Sequence, residues 1–498
     1  MTSVSVEESK SAASTTDIAA VAGRGTVLIT AAKIWFMVSG YGIAFTLAHL
    51  LTDENYGLYR VVINTVSIIN AVIVTGTYQT VSKYVSQQPE NADSIKTKAL
   101  ILQLYVGGAA SVGFFLLAPF VAASLNDPGL TRYLRLASLI TSSYAFYSVY
   151  TGYFNGKKKF GAQAALDITY STLKLIFIVL FAALGFGVTG SVGGFALAAF
   201  CVLVISATMA RGKAQASSAK VGELFKFQSQ LLLFTFVLTL LQRVDLMLIK
   251  ALSSGDAKIA SENAGYYSAA VDIANISYQI IISVTFIIFP LISKATFDND
   301  RVSTQTYIRN TLRYTLMIMA LTATLFSAEA SGVLRVIYRE SYQAGTGALR
   351  ILAFGMLFFG LLYILTTIIS ASGRPSISLL LGLITLITTT LLNVLLIPAL
   401  GLKGAAIATT ISMSVGAGIG CIYLWSKFRT LLSLMTALRL LACVSFTYAV
   451  SLFLTPGSRL MVIVNLIVLS VTYLMALIVS GELGRPDLRL LMRVAGRR

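Results

Sequence analysis

The 498-residue chain is 56% hydrophobic and only 12% charged, with a mean hydropathy of +0.80. So little polar surface excludes a soluble enzyme or a water-soluble binding module of this size. The formal net charge of +18 does not point to nucleic acid, because Lys and Arg sit in short segments between apolar runs, where membrane orientation and contact with anionic headgroups account for them.

In chain order, residues 1–24 are rich in Ser, Thr and Ala and predict a disordered cytoplasmic tail. The apolar run that follows is too long for a signal peptide and lacks a small-residue cleavage pattern. Runs of roughly 20 or more apolar residues, the length that crosses a hydrocarbon core, then recur almost without pause. They predict an all-α integral membrane protein of about fourteen spans, at 27–51, 56–82, 99–124, 133–154, 162–186, 190–210, 224–250, 264–293, 308–329, 347–371, 376–399, 404–426, 434–454 and 460–480. Lys and Arg concentrate in alternate loops, which places both termini in the cytoplasm and the protein in the inner (cytoplasmic) membrane. The outer loop between the ninth and tenth spans is the weakest point of that alternation, with Arg335, Arg339 and Arg350 facing Glu329 and Glu340. Beyond 481, Arg485, Arg489 and Arg493 recur at four-residue spacing with Leu488, Leu491 and Met492 between them. Residues 482–498 therefore read as a basic cytoplasmic tail, either an amphipathic helix on the inner leaflet or a solvated segment.

Two pairs of signals repeat along the chain. Asp53-Glu54-Asn55-Tyr56-Gly57-Leu58-Tyr59 introduces one apolar segment, and Glu262-Asn263-Ala264-Gly265-Tyr266-Tyr267 introduces another about 208 residues later. Asn155-Gly156-Lys157-Lys158-Lys159-Phe160 is echoed by Ser372-Gly373-Arg374-Pro375-Ser376-Ile377. Each of these leads to a Gly-containing turn, Leu184-Gly185-Phe186-Gly187 or Leu400-Gly401-Leu402-Lys403-Gly404. A duplicated bundle follows, the organisation of secondary transporters: an N-lobe at 25–215, a C-lobe at 216–430 and two further helices at 431–481.

Catalytic machinery is not expected. No predicted loop exceeds about 20 residues, and no Gly-rich phosphate loop followed by Lys and Ser or Thr is present. Cys201, Cys421 and Cys443 fall inside spans without metal-ligand spacing and read as small packing residues. His49 stands alone near the outer end of the first span, without an acidic or Cys partner at ligand spacing. The sequence thus points to no catalytic residue, metal or cofactor.

Function is expected where charge lies inside apolar spans, because each such residue costs at least ~2.5–3.5 kcal/mol at a helix centre. These are Lys33, Arg60, Asp167, Lys174, Arg243, Asp245 and Asp272. Lys174 is the hardest to explain by snorkelling, and Asp167 lies seven residues earlier, on the same face but about 10 Å away along the axis. Lys33, Arg60, Lys174 and Arg243 are candidates for an anionic substrate group, since Lys and Arg recognise phosphate oxygens. Asp167, Asp245 and Asp272 are candidates for ion coupling or for charge pairing, for example Asp272 with Arg243. The fourth span crowds Tyr144, Phe146, Tyr147, Tyr150, Tyr153 and Phe154 together, either to stack on sugar rings or as an interfacial belt. Thr385, Thr388, Thr389 and Thr390 read as helix-to-helix glue.

Tyr56-Gly57-Leu58-Tyr59, Gly265-Tyr266-Tyr267-Ser268-Ala269-Ala270, Phe289-Pro290-Leu291-Ile292-Ser293, Ala371-Ser372-Gly373-Arg374 and Gly401-Leu402-Lys403-Gly404-Ala405-Ala406-Ile407-Ala408-Thr409 resemble the polysaccharide flippases of Wzx type, in the multidrug/oligosaccharidyl-lipid/polysaccharide (MOP) exporter superfamily. The likeness runs through spans one to twelve. It implies two six-helix lobes related by a pseudo-twofold axis, plus two C-terminal helices. It also implies export of an undecaprenyl-pyrophosphate-linked oligosaccharide from the inner to the outer leaflet by alternating access, with membrane lipids and polysaccharide-assembly proteins as partners. Lys33 and Arg60 resemble, in helix position, basic residues of lipid II flippases, while the Arg-rich first helix of that branch is absent. The cation-binding acidic residues of the drug-exporter branch are not matched. A lipid II flippase and a cation-coupled multidrug exporter remain the alternatives within the superfamily. Outside it stand a membrane polymerase or ligase acting on lipid-linked sugars, and a non-transporting scaffold.

Overall fold

The computed structural model describes residues 28–211, 221–253, 256–454 and 458–484. Both predicted tails lie wholly or largely outside the described residues. Everything described is helix, turn or short connection, and no strand occurs among these residues. The helices are α1 (Leu28–Leu50), α2 (Asp53–Gln87), α3 (Ala92–Ser124), α4 (Leu130–Gly156), α5 (Phe160–Phe181), α6 (Gly187–Met209), α7 (Val221–Leu241), α8 (Val244–Leu252), α9 (Ala257–Phe297), α10 (Arg301–Ala328), α11 (Ala330–Ile337), α12 (Thr346–Ala371), α13 (Pro375–Phe428), α14 (Leu434–Ser451) and α15 (Arg459–Val479).

Each of the fourteen predicted windows falls on helix among the described residues, where nine helical runs are long and apolar enough to cross a membrane, and three departures occur in how the windows connect. Gly401 (φ 56, ψ −132) folds α13 sharply, so that one helical run of 54 residues supplies the eleventh and twelfth spans. Span seven is broken at Gln242 and Arg243 into α7 and α8. The loop after span nine carries a short helix, α11, and a helical turn over Glu340–Gly345.

The duplication read from sequence is visible in backbone geometry. Gly187 between α5 and α6 has φ 56 and ψ −137, within a few degrees of Gly401. This lies close to a region that only glycine occupies without strain. The helix entries are less alike: Asp53 and Glu54 open α2 directly behind the N-cap Thr52, whereas α9 begins at Asp256, so Glu262 to Tyr267 lies inside the helix. A side-chain oxygen accepting an early N–H starts each of these helices.

The chain divides into two compact units, 1–239 and 240–498. In unit 1, α4 packs on α2, α3 and α6, and α5 pairs with α6. In unit 2, α12 takes the place of α4 and packs on α9, α10 and α13. Polar side chains join helices inside unit 1: Gln103 donates to Gln228 (3.1 Å), which donates to Thr77 (3.2 Å), tying α3, α7 and α2.

At one end of unit 1 a charged latch fastens α3, α4 and α6. Buried Lys96 donates to Asp93 (2.8 Å) and to the Ala210 carbonyl (2.6 Å), while the Tyr153 hydroxyl donates to Asp93 (2.8 Å) and Lys157 donates to Tyr153 (2.8 Å). Partial burial pushes the Asp93 carboxyl up, but the hydrogen bonds from Lys96 and Tyr153 and the charges of Lys96 and Lys157 outweigh it and hold Asp93 below the ordinary carboxylate range. A carboxylate depressed on folding stabilises at neutral pH and loses that contribution as pH falls through its folded value. Thermal melts across pH should therefore show the wild type losing the latch only in acid, and Asp93→Asn starting about 2 kcal/mol lower at neutral pH.

In unit 2, α14 and α15 dock on α10. Met317 and Ala320 of α10 share a buried core with Leu440 and Cys443 of α14 and Tyr473 and Leu477 of α15, and the Tyr473 hydroxyl donates to the Met317 carbonyl (3.1 Å). Just beyond α15, Glu482 is 2% exposed and ion-pairs with Arg313 (2.7 Å) and Arg439 (3.5 Å). At the opposite end of α10, buried Glu329 accepts from Asn465 (2.9 Å). Of the charges the sequence places near this loop, Glu329 goes to Asn465, and Arg335 lies 4.0 Å from Glu340.

Candidate functional site

Four helices of unit 1 bring three of the predicted charges to one place. Asp167 and Lys174 lie two turns apart on α5. The Tyr147 hydroxyl of α4 donates to Asp167 (3.0 Å), and Lys33 of α1 interacts with Asp167 electrostatically. The Lys174 ammonium stands 4.5 Å from the Phe195 ring centroid of α6 and 5.6 Å from that of Phe36 on α1. Phe36 is three residues after Lys33, so the same turn of α1 serves both ends of the cluster. A bond from Trp35 to the Thr172 hydroxyl (3.0 Å) also joins α1 to α5.

Aromatic rings surround these charges. Tyr144 packs edge-on against Tyr170 (5.3 Å) and Phe195 (6.0 Å), Tyr147 lies 6.0 Å from Tyr170, and Phe36 stacks on Tyr170 at 6.4 Å. The arrangement is a polar seam in an apolar bundle: one carboxylate with a phenol donor, the Lys174 ammonium beside two π faces, and Lys33 coupled to the carboxylate by charge. Aromatic faces attract an ammonium by up to ~2 kcal/mol where water is excluded, less than charge-assisted hydrogen bonds to an anion provide. An anionic group can therefore draw Lys174 from its rings, and flat faces beside it suit a sugar ring.

The other predicted residues lie elsewhere. Arg60 is half-buried on α2 with its guanidinium 6.0 Å from the Tyr56 ring, one turn back on the same helix. Arg243 occupies the break between α7 and α8 and interacts electrostatically with Asp245. Asp245 is buried in the first turn of α8, where it accepts from the Tyr267 hydroxyl (2.8 Å) and from the Leu246 N–H (2.8 Å). A carboxylate there satisfies the exposed N–H groups of a helix that starts inside the membrane. Asp272 lies half-buried along α9.

The crowded aromatics of span four separate into three groups. Tyr144 and Tyr147 face the charged cluster, Phe146 and Tyr150 face α6, and Tyr153 belongs to the latch, with Phe154 edge-on beside it. Thr385, Thr388, Thr389 and Thr390 each bond back to the carbonyl four residues earlier in α13. His49 donates from Nδ1 to the Phe45 carbonyl (2.9 Å) on the exposed side of α1. Phe36, Tyr170 and Phe195 escape sequence reasoning because nothing distinguishes a ring that meets a buried charge from one that meets lipid.

Comparison with known proteins agrees with this architecture. A family model described as polysaccharide biosynthesis protein matches residues 46–345. The uncharacterized membrane protein YabM of Bacillus subtilis (strain 168) is 24% identical over 434 residues, covering 80% of this chain and 79% of that one. The uncharacterized membrane protein MJ1068 of Methanocaldococcus jannaschii is 28% identical over 146 residues, and the match spans 29% of each chain. Among solved structures, a lipid II flippase MurJ in an inward closed conformation superimposes with a TM-score of 0.75 at 14% identity, covering 92% of this chain and 99% of that one. An inward-facing multidrug resistance MATE family transporter of the MOP superfamily gives 0.63 at 15%, covering 79% and 94%. A MOP superfamily transporter from Pyrococcus furiosus gives 0.60 at 16%, covering 81% and 95%. The fold is that of membrane transporters, and the chain is a multi-pass membrane protein that belongs to the polysaccharide biosynthesis protein family.

Proposed function

We propose that this protein is a flippase that carries a polyprenyl-pyrophosphate-linked oligosaccharide from the inner to the outer leaflet of the cytoplasmic membrane by alternating access, with both termini in the cytoplasm. The observation that carries the reading is the position of Lys174, a cation in mid-span beside the Phe36 and Phe195 rings of its own lobe, where a lipid-facing residue would be apolar. In this mechanism Lys174 and Lys33 bind the pyrophosphate, and Arg60 and Arg243 are further candidate cations for the anionic substrate. Tyr144, Tyr147 and Tyr170 offer faces and hydroxyls to the sugar. The polyprenyl tail stays in lipid, so only the headgroup has to be taken out of water. Asp167 is the group that resets the cycle by taking up a proton or cation when the pyrophosphate leaves Lys33. Asp245, enclosed by Tyr267 and its own helix start, holds the bundle together, and Asp272 is a second candidate for coupling.

Mass spectrometry of polyprenyl-linked saccharides from cells with and without the gene tests this reading. Build-up of a complete pyrophosphate-linked repeat unit supports it and identifies the cargo. An unchanged lipid pool together with greater sensitivity to cationic drugs overturns it in favour of a multidrug exporter, and build-up of lipid II alone would assign the peptidoglycan precursor instead.

A further inference from the structure

A groove between α4 and α6 lies outside the charged cluster. Its volume is about 400 Å³, within the range of ligand pockets (~300–1,000 Å³), and it is lined by Phe146 and Tyr150 of α4, by Leu203, Val204 and Thr208 of α6, and by Arg211 just beyond the helix. Two features define what it takes.

One side of the groove is continuous with hydrocarbon. Leu197, Phe200 and Val204 succeed one another at three- and four-residue spacing along α6 and are all exposed, an apolar face that belongs against lipid in a spanning helix. The other end is cationic. Arg211 is exposed, and exposed Lys158 and Lys159 follow the C-terminus of α4, which ends on the same side of the unit as α6. The C-terminal dipole of α6 opposes an anion at this place, but the Ala210 carbonyl is already occupied by Lys96 (2.6 Å). The Thr208 hydroxyl donates to Ile205 (2.7 Å), which leaves the Arg211 fork as the donor for a phosphate.

We propose that this groove holds an anionic phospholipid of the adjacent leaflet, with the phosphate on Arg211, the glycerol beside Tyr150 and the first methylenes of one acyl chain along Phe146, Leu203 and Val204. The site is separate from the transport reading and stands without it. A single guanidinium and a chain-wide slot suit a monophosphate lipid rather than a headgroup with a sugar chain.

Native mass spectrometry of the full-length protein, titrated in detergent with palmitoyl-oleoyl phosphatidylglycerol or phosphatidylcholine, tests it. The wild type should retain phosphatidylglycerol about fivefold better, the worth of one cation at an anionic surface. Arg211→Gln should lose that preference, and Val204→Trp, at a position open to lipid, should block both lipids. Equal retention by the wild type, an unchanged preference in R211Q, or undiminished binding by V204W overturns the proposal. So does tighter retention of a polyprenyl diphosphate than of phosphatidylglycerol, which would make the groove part of the transport route.

Discussion

Lys174→Ala should abolish export of the lipid-linked glycan while the protein still inserts and folds. The fold loses two cation–π contacts, together worth a few kcal/mol at most, and regains the cost of holding an ammonium in mid-span. In the proposed mechanism, export loses charge-assisted contacts to pyrophosphate, for which truncation of one partner costs ~2–5 kcal/mol, or roughly 30-fold and upward in binding. Export per inserted molecule is the quantity to measure, with Lys174→Arg expected to retain part of it, because the charge is kept while the fork replaces a point donor. Normal export by a well-expressed alanine variant would sink the cationic mechanism, even if the protein proves to move some other cargo.

Glu482→Ala should loosen the two C-terminal helices by about 3–5 kcal/mol, the cost of removing one member of a buried ion pair. Its carboxylate holds Arg313 of α10 and Arg439 of α14, and Arg313 also donates to the Glu482 carbonyl. Loss of the carboxylate takes an ion-pair partner from two guanidinium groups at once. Thermal unfolding followed by limited proteolysis should show cleavage near α14 and α15 well before the rest of unit 2 melts. Glu482→Gln, which keeps an acceptor, should lose less. An alanine variant that melts with the wild type would show that the apolar core around Tyr473 secures these helices unaided.

Much of this architecture is readable from the chain because lipid demands long apolar runs and confines breaks to a few residue types. Windows placed by hydropathy coincide with helices, and the Gly185–Gly187 and Gly401 turns fall where two sequence echoes place them. The break at Gln242 and Arg243 is not readable: polar residues inside an apolar run mark charge in a span but not an interrupted helix, and the Tyr267 hydroxyl that donates to Asp245 just beyond it comes from another helix. The candidate site was half legible. Charge in a span marks Lys33, Asp167 and Lys174, because burial in hydrocarbon is costly wherever the residue points. Their partners Phe36, Tyr147 and Phe195 are ordinary membrane residues, selected by packing between helices far apart in sequence. The latch of Asp93, Lys96 and Lys157 goes unread for the opposite reason: loop cations orient a membrane protein, and that role hides the ion pairs they make.

The glycine turns at Gly187 and Gly401 have a mechanical consequence. Each reverses two apolar spans with almost no intervening chain, so these tips carry no flap that can swing across an opening. Movement at either tip therefore has to carry the whole helix pair of its own unit, which makes the stiffness of the hairpin, and not the sequence of a loop, the determinant of how far that tip travels.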